Sequence, residues 1–103
     1  MLQVYRLTKA FPPEERYGLT SQLRRAMLSV PTNIAEGSKR LTNPEYARFL
    51  NIAEGSLAET EYLLMVSRDL GYMPAIATKP SLTEANELAK MLHALRAKVS
   101  KAL

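Results

Sequence analysis

One spacing limits this chain more than any other. Tyr46, Leu50, Ala53, Leu57, Thr60, Leu64 and Ser67 recur at intervals of 4-3-4-3-4-3. A strand alternates its faces residue by residue and cannot hold that set together. A helix with a period of about 3.5 gathers it into one seam. Phe49, Ile52, Leu63, Val66 and Leu70 lie beside the seam. So wide an apolar face predicts a helix buried on two sides, once inside a bundle and once against something else. Punctuation frames this helix at about 44–70. Asn43 can cap it, Pro44 suits its first turn, and Glu45 meets the positive end of its dipole. Gly71 offers a left-handed stop. Inside, Gly55 costs about 1 kcal/mol against alanine, so a close-packed neighbour is expected there.

Other segments obey the same rule. Leu19, Leu23, Ala26, Val30, Ile34 and Gly37, spaced 4-3-4-4-3, predict a helix over about 13–39. Pro31 falls inside that stripe without changing its phase, which favours a kink near 27–31 over a break into two helices. A second line on the same helix, including Gln22, Arg25, Ser29, Asn33, Glu36 and Arg40, is polar. It reads as a solvated face or as a seam toward a partner. Ala85, Leu88, Leu92, Leu95 and Val99, spaced 3-4-3-4, predict a last helix over about 82–102. The pattern Ser81-Leu-Thr-Glu84 has the form of a capping box at its start. Residues 71–80 read as an apolar loop folded back on the bundle. Residues 1–10 read as a helical stub stopped by Pro12 and Pro13. The fold class is therefore all-α: an antiparallel up-and-down four-helix bundle, one domain over 1–103, with a short first helix.

The bulk numbers agree with a small folded domain that gains stability from self-association. Hydrophobic residues make up 47% and charged residues 23%. No apolar run reaches the roughly 18 residues a membrane span needs, and no cysteine exists for disulfides or thiolate metal sites. A cytoplasmic location is expected. The formal charge of +4 is uneven. Residues 1–50 carry eight Lys/Arg against four Glu, while the remainder carries six basic and six acidic residues. That excess fits contact with RNA or DNA, and fits equally the surface charge of a soluble protein.

Catalytic and metal chemistry find little to stand on. A carboxylate-bridged metal bundle needs Glu-x-x-His pairs, but the single histidine, His93, follows Lys90 by three. Zinc needs more His or Cys. No serine lies on a nucleophile elbow and no glycine-rich phosphate loop is present. Glu36 and Glu54 form the best carboxylate pair that can be drawn, and a structural role beside Arg or Asn is the plainer expectation for both. No catalytic residue, metal or cofactor is assigned. What remains is a helix-borne set of cations, Arg16, Arg24, Arg25, Lys39, Arg40 and Arg48, which are the candidate nucleic-acid contacts. Arg25 and Arg48 are alternatively partners for Glu36 or Glu54. Ser29-Val-Pro-Thr-Asn-Ile-Ala-Glu-Gly37 breaks helical rules without any chemistry nearby, so it reads as a joint. There Pro31 bends the helix, Asn33 and Glu36 supply buried polar contacts, and Gly37 admits a neighbour. Glu54 and Gly55 on the next helix belong to the same set.

Four stretches carry a resemblance: Phe11 to Ala26, Ser29 to Gly37, Glu45 to Leu50, and Ile52 to Glu59. Together they closely resemble a family of small bacterial four-helix-bundle proteins, first noticed as reading frames within intervening sequences of the large ribosomal RNA gene. The match runs in register from about Val4 to Leu70. The resemblance implies a four-helix bundle assembled into a ring, typically a pentamer, with no known enzymatic activity. A relative, the accessory variability determinant of diversity-generating retroelements, is a basic pentamer that engages a reverse transcriptase and nucleic acid. Family members carry a longer first helix, so the first helix here is truncated by comparison. The apolar surface it leaves bare is expected to be covered by another subunit. RNA, DNA, a protein partner and further copies of the chain are thus the expected partners.

Overall fold

The structure is a computed structural model and describes residues 2–101. Helix α1 spans Leu2–Leu7 and continues as a 3-10 turn over Thr8–Ala10. A second 3-10 turn covers Pro13–Glu15. Three long helices follow: α2 at Leu19–Ser38, α3 at Asn43–Asp69 and α4 at Ala75–Lys101. Connections of four and five residues between them force antiparallel neighbours. The seam helix α3 is central and packs against both α2 and α4, while α1 packs against α4. The result is a flat rod of 46 × 24 × 17 Å.

The apolar stripes become the core. Leu50, Ala53, Leu57, Thr60, Leu64 and Ser67 of the seam are buried, as are Leu23, Ala26, Val30 and Gly37 of the α2 stripe. The two buried seam hydroxyls turn back on their own helix. Thr60 donates to the Ser56 carbonyl at 2.9 Å and Ser67 to that of Leu63 at 2.7 Å, so neither is an orphan polar group. The core has two parts. Val4, Phe11, Leu23, Ala26, Met27, Leu63, Leu64 and Met73 fill one. Val30, Leu50, Ala53, Leu57, Ala85 and Leu92 fill the other. Only the first receives a side chain from α1. Six helical residues reach about 9 Å, whereas 27 reach about 40 Å. The second part is therefore walled by three helices.

Several boundaries differ from the sequence reading, each for a local reason. α2 starts at Leu19 rather than near Pro13. The prolines instead set a 3-10 turn, and Glu15 Oε1 accepts the Leu19 N–H at 3.3 Å in place of a cap from Gly18. Thr42, not Asn43, caps α3, its hydroxyl accepting the Glu45 N–H at 3.4 Å. The expected loop over 71–80 is short. α4 begins at Ala75, directly after Pro74, whose carbonyl accepts the N–H groups of Ala77 and Thr78 and the Thr78 hydroxyl. The helix then passes through Pro80, and Ser81 is buried inside it instead of opening it. The back-folding expected of this segment survives at Met73, which is fully buried in the first core part. α2 runs unbroken through Pro31. Beside that proline, Thr32 donates to the Leu28 carbonyl and Asn33 to that of Ser29, both i to i−4 bonds.

The end of α3 follows its glycine closely. Gly71 has φ of 80°, the left-handed region where a Cβ is costly. Its N–H reaches the Arg68 carbonyl and the Tyr72 N–H reaches that of Ser67, the paired bonds of a Schellman motif.

Candidate nucleic-acid interface

The candidate cations do not form one array. They divide between the two ends of α2, which lie about 20 Å apart counted from Arg24 to Ser38. At the first end, a cleft of about 670 Å³ opens between the segment 8–13 and the start of α2. Lys9, Arg16 and Arg24 contribute cations to its lining, Thr8, Thr20 and Ser21 hydroxyls, and Phe11 and Tyr17 rings. Glu14 and Glu15 are close in sequence but line no part of it. Glu15 engages its two oxygens beside the cleft rather than in it: Oε1 accepts the Leu19 N–H at the start of α2 at 3.3 Å, and Oε2 accepts the Tyr72 hydroxyl at 3.0 Å. That bond, with burial and the charges of Glu15 and Glu14, raises the Tyr72 phenol above its ordinary pKa.

Arg24 is the fixed member of this cluster. Its Nε donates to Thr8 Oγ1 at 2.9 Å, and its Cζ lies 4.4 Å from the Tyr5 ring centroid. Thr8 in turn donates to the Tyr5 carbonyl at 2.6 Å. Arg24 thereby joins α2 to α1, with ring and cation in the geometry of a cation–π contact.

At the other end of α2, Lys39 and Arg40 lie just past the last turn, and Arg48 is in the second turn of α3. The Arg40 and Arg48 guanidinium carbons lie 4.9 and 5.6 Å from the Phe49 ring centroid. Arg25, next to Arg24 on α2, lines no part of the cleft and pairs at 3.6 Å with Glu59, which corrects the expected partnership with Glu36 or Glu54. Arg48 pairs with neither of those carboxylates. Among the described residues, Arg16, Arg24, Lys39, Arg40 and Arg48 have no ion pair.

The joint residues have distinct surroundings. Asn33 Nδ2 donates to both the carbonyl and the hydroxyl of Ser29, at 2.8 and 2.9 Å. The Ser29 hydroxyl meets that of Ser56 on α3 at 2.8 Å. Half-buried Asn33 thus reaches α3 through a serine pair. Gly37 is buried where α2 and α3 approach, and a Cβ built there would meet Phe49 Cβ at 2.7 Å and Tyr46 Cδ1 at 3.1 Å. Two expectations are corrected within this chain. Glu36 is exposed rather than buried, and a Cβ on Gly55 would meet nothing within 4 Å. The helical phase explains both: each lies away from the stripe its helix buries. Pro31 is exposed as well.

Glu54 has a partner that spacing could not reveal. Arg96 of α4 donates to it through Nε and, at 3.4 Å, through Nη2. Hydrogen bonding and charge from Glu54 hold the Arg96 pKa above its ordinary value, against the opposing effect of burial. His93 Nδ1 lies 3.8 Å from Glu54 and 3.3 Å from Arg96 Nη2. Glu54 is therefore tied to α4, and exposed Glu36 shares no contact with it. Among the described residues no group of His, Cys, Asp or Glu is placed to hold a metal, and no helix is long and apolar enough to cross a membrane.

The sequence reading gave no role to Lys9, Thr8, Tyr5 or Thr20. Only Lys9 carried a signal, as part of the basic first half. Tyr5 and Thr8 join the site through their contacts with Arg24, and Thr20 through its place in the first turn of α2.

A family described as 23S rRNA-intervening sequence protein matches residues 1–94. The chain belongs to this family. No curated protein matches it. Among solved structures, it is similar to a protein of unknown function from the S23 ribosomal protein family of Bacteroides thetaiotaomicron. The identity is 21%, over 92% of this chain and 86% of that one, with a TM-score of 0.81. At that identity the likeness concerns the fold, and it extends to nearly all of both chains. Family membership agrees with the resemblance carried by the 11–59 stretches.

Proposed function

We propose that this protein is a non-enzymatic, oligomeric helical scaffold that binds the phosphate backbone of nucleic acid. The observation that carries the reading is the pair of cation clusters at the two ends of α2, free of carboxylate partners among the described residues. Cations without internal partners can neutralise phosphates without first breaking an ion pair, and the counterions released favour the binding. By resemblance to the retroelement accessory protein, a role beside a reverse transcriptase is the corresponding cellular setting.

Fluorescence anisotropy with RNA and DNA duplexes over a salt series tests this. Binding that weakens log-linearly with salt, and that Arg40→Glu with Arg48→Glu removes, is the expected result. Absence of binding at low salt rejects it.

A second reading has its own observation. Ile52, Tyr62 and Met65 on α3 and Leu28 on α2 are exposed, and Gly55 lies open near the first of them. This face fits a protein partner or further copies of the chain. A ring, pentameric by family resemblance, is the proposed assembly, and light scattering measures it. A strictly monomeric protein would remove the oligomeric part of the proposal while leaving the binding part standing.

A further inference from the structure

We propose that the cleft between the segment 8–13 and the start of α2 is a binding site for a single nucleoside phosphate, either a free nucleotide or the phosphorylated end of a strand. The inference rests on the nucleic-acid reading above and narrows it at one end of the molecule. The ligand class follows from the lining.

Three cations, Lys9, Arg16 and Arg24, share the cleft with three hydroxyls, and no carboxylate lines it. Arg24 is already oriented. Its Nε is committed to Thr8 and its face to Tyr5, which leaves its two terminal nitrogens without a hydrogen bond or ion pair among the described residues. A guanidinium held by one edge presents its remaining donors as a fork, the geometry that phosphate oxygens match. The first turn of α2 adds Thr20 and Ser21 to the lining, while its Leu19 N–H is already taken by the Glu15 carboxylate. The three cations and the Thr20 and Ser21 hydroxyls thus line one concave site, with Thr8 holding Arg24 in place.

The apolar half of the lining separates a nucleotide from a bare phosphate ion. Phe11, Pro12, Pro13 and Tyr17 occupy the side toward the proline turn. Tyr17 is 88% exposed, a large ring with no packing role in this chain. An exposed ring beside a phosphate site is a stacking platform for a base. The volume of about 670 Å³ falls within the range of small-ligand sites, about 300–1,000 Å³.

The test is calorimetric titration of the full chain with adenosine 5′-monophosphate, adenosine, inorganic phosphate, and one short RNA carrying either a 5′-phosphate or a 5′-hydroxyl. The expected order is nucleotide above phosphate, with adenosine not bound. The combined change Lys9→Ala and Arg16→Ala should weaken the nucleotide about tenfold or more. Both positions are exposed, so the fold should persist, and circular dichroism verifies it. Tyr17→Ala should weaken the nucleotide but not inorganic phosphate. If the nucleotide and the 5′-phosphorylated RNA both bind, the site takes the group from either source. If only the phosphorylated RNA binds in preference to its 5′-hydroxyl form, the source is a strand end. Adenosine binding as tightly as its monophosphate would overturn the proposal. So would an unchanged affinity in the Lys9/Arg16 variant. Arg40→Glu with Arg48→Glu separates the two readings: loss of duplex binding with intact nucleotide binding isolates the cleft, and nucleotide binding that depends on the Arg40 end refutes it.

Discussion

At the scale of single residues, the two glycines inside helices behave in opposite ways. Gly37 sits where a Cβ would press to 2.7 Å on the Phe49 Cβ, an atom fixed to the α3 backbone. Gly37→Ala gains helix propensity but forces α2 and α3 apart, a net loss of about 1–3 kcal/mol, readable as a lower denaturant midpoint. Gly55→Ala meets nothing within 4 Å of its new methyl. In the isolated chain it should raise stability by about 1 kcal/mol. A fall in stability or in assembly size would mean instead that another chain packs at Gly55. Both glycines carry the same sequence signal, a costly residue in a helix interior. Spacing separates them only in hindsight: Gly37 continues the α2 stripe, whereas Gly55 falls between the seam positions Ala53 and Leu57.

At the scale of elements, ends proved harder to read than faces. The seam of α3 fixes which side is buried because side-chain area removed from water grows with every matching turn. A cap rests on one bond, and adjacent residues can compete for it. Thr42 and Asn43 are both able caps, and the geometry chooses Thr42, in extended conformation with φ of −125°. Thr42→Ala should therefore cost about 0.5 kcal/mol, the low end for caps given the 3.4 Å bond, whereas Asn43→Ala should change the melting temperature little. The reverse order would return the cap to Asn43. The start of α4 shows the same weakness on a larger scale. Ser81-Leu-Thr-Glu84 fits a capping box, yet Pro74 starts the helix earlier and Ser81 becomes a buried residue.

At the scale of the whole molecule, a few long-range side-chain ties hold the rod together, and they have measurable consequences. Tyr72 follows α3 and Glu15 precedes α2, and their bond, beside the Phe11–Tyr72 ring contact at 5.6 Å, closes one end of the bundle. The folded phenol has a pKa raised above its ordinary value of 10.0. A raised value means that the folded state holds the proton longer than the unfolded chain. Its stabilising contribution is complete below about pH 10 and is lost as pH rises through the folded value. Alkaline unfolding followed by tyrosinate absorbance should show this loss, and Tyr72→Phe should remove that part of the pH dependence. The charge layout makes a second prediction at this scale. If Arg40 and Arg48 each neutralise one phosphate, replacing both with Ala lowers the log–log salt slope of duplex binding by about 2. An unchanged slope would place the duplex elsewhere.

The sequence by itself determined the class of fold, the faces that are buried, the left-handed end at Gly71, and the family. Periodic burial and one obligatory glycine conformation are local properties, repeated often enough along the chain to outweigh noise. The tertiary structure decided where α2 and α4 begin, which cations stay unpaired, and what Glu54 and Arg24 touch. Arg96 is 42 residues from Glu54, and Thr8 is 16 from Arg24. No period links such pairs, because their meeting depends on how two helices pack rather than on the repeat of either one. The cleft beside α2 exists for the same reason: α1 folds against the bundle and brings Thr8 and Lys9 to a helix start that the sequence alone placed elsewhere.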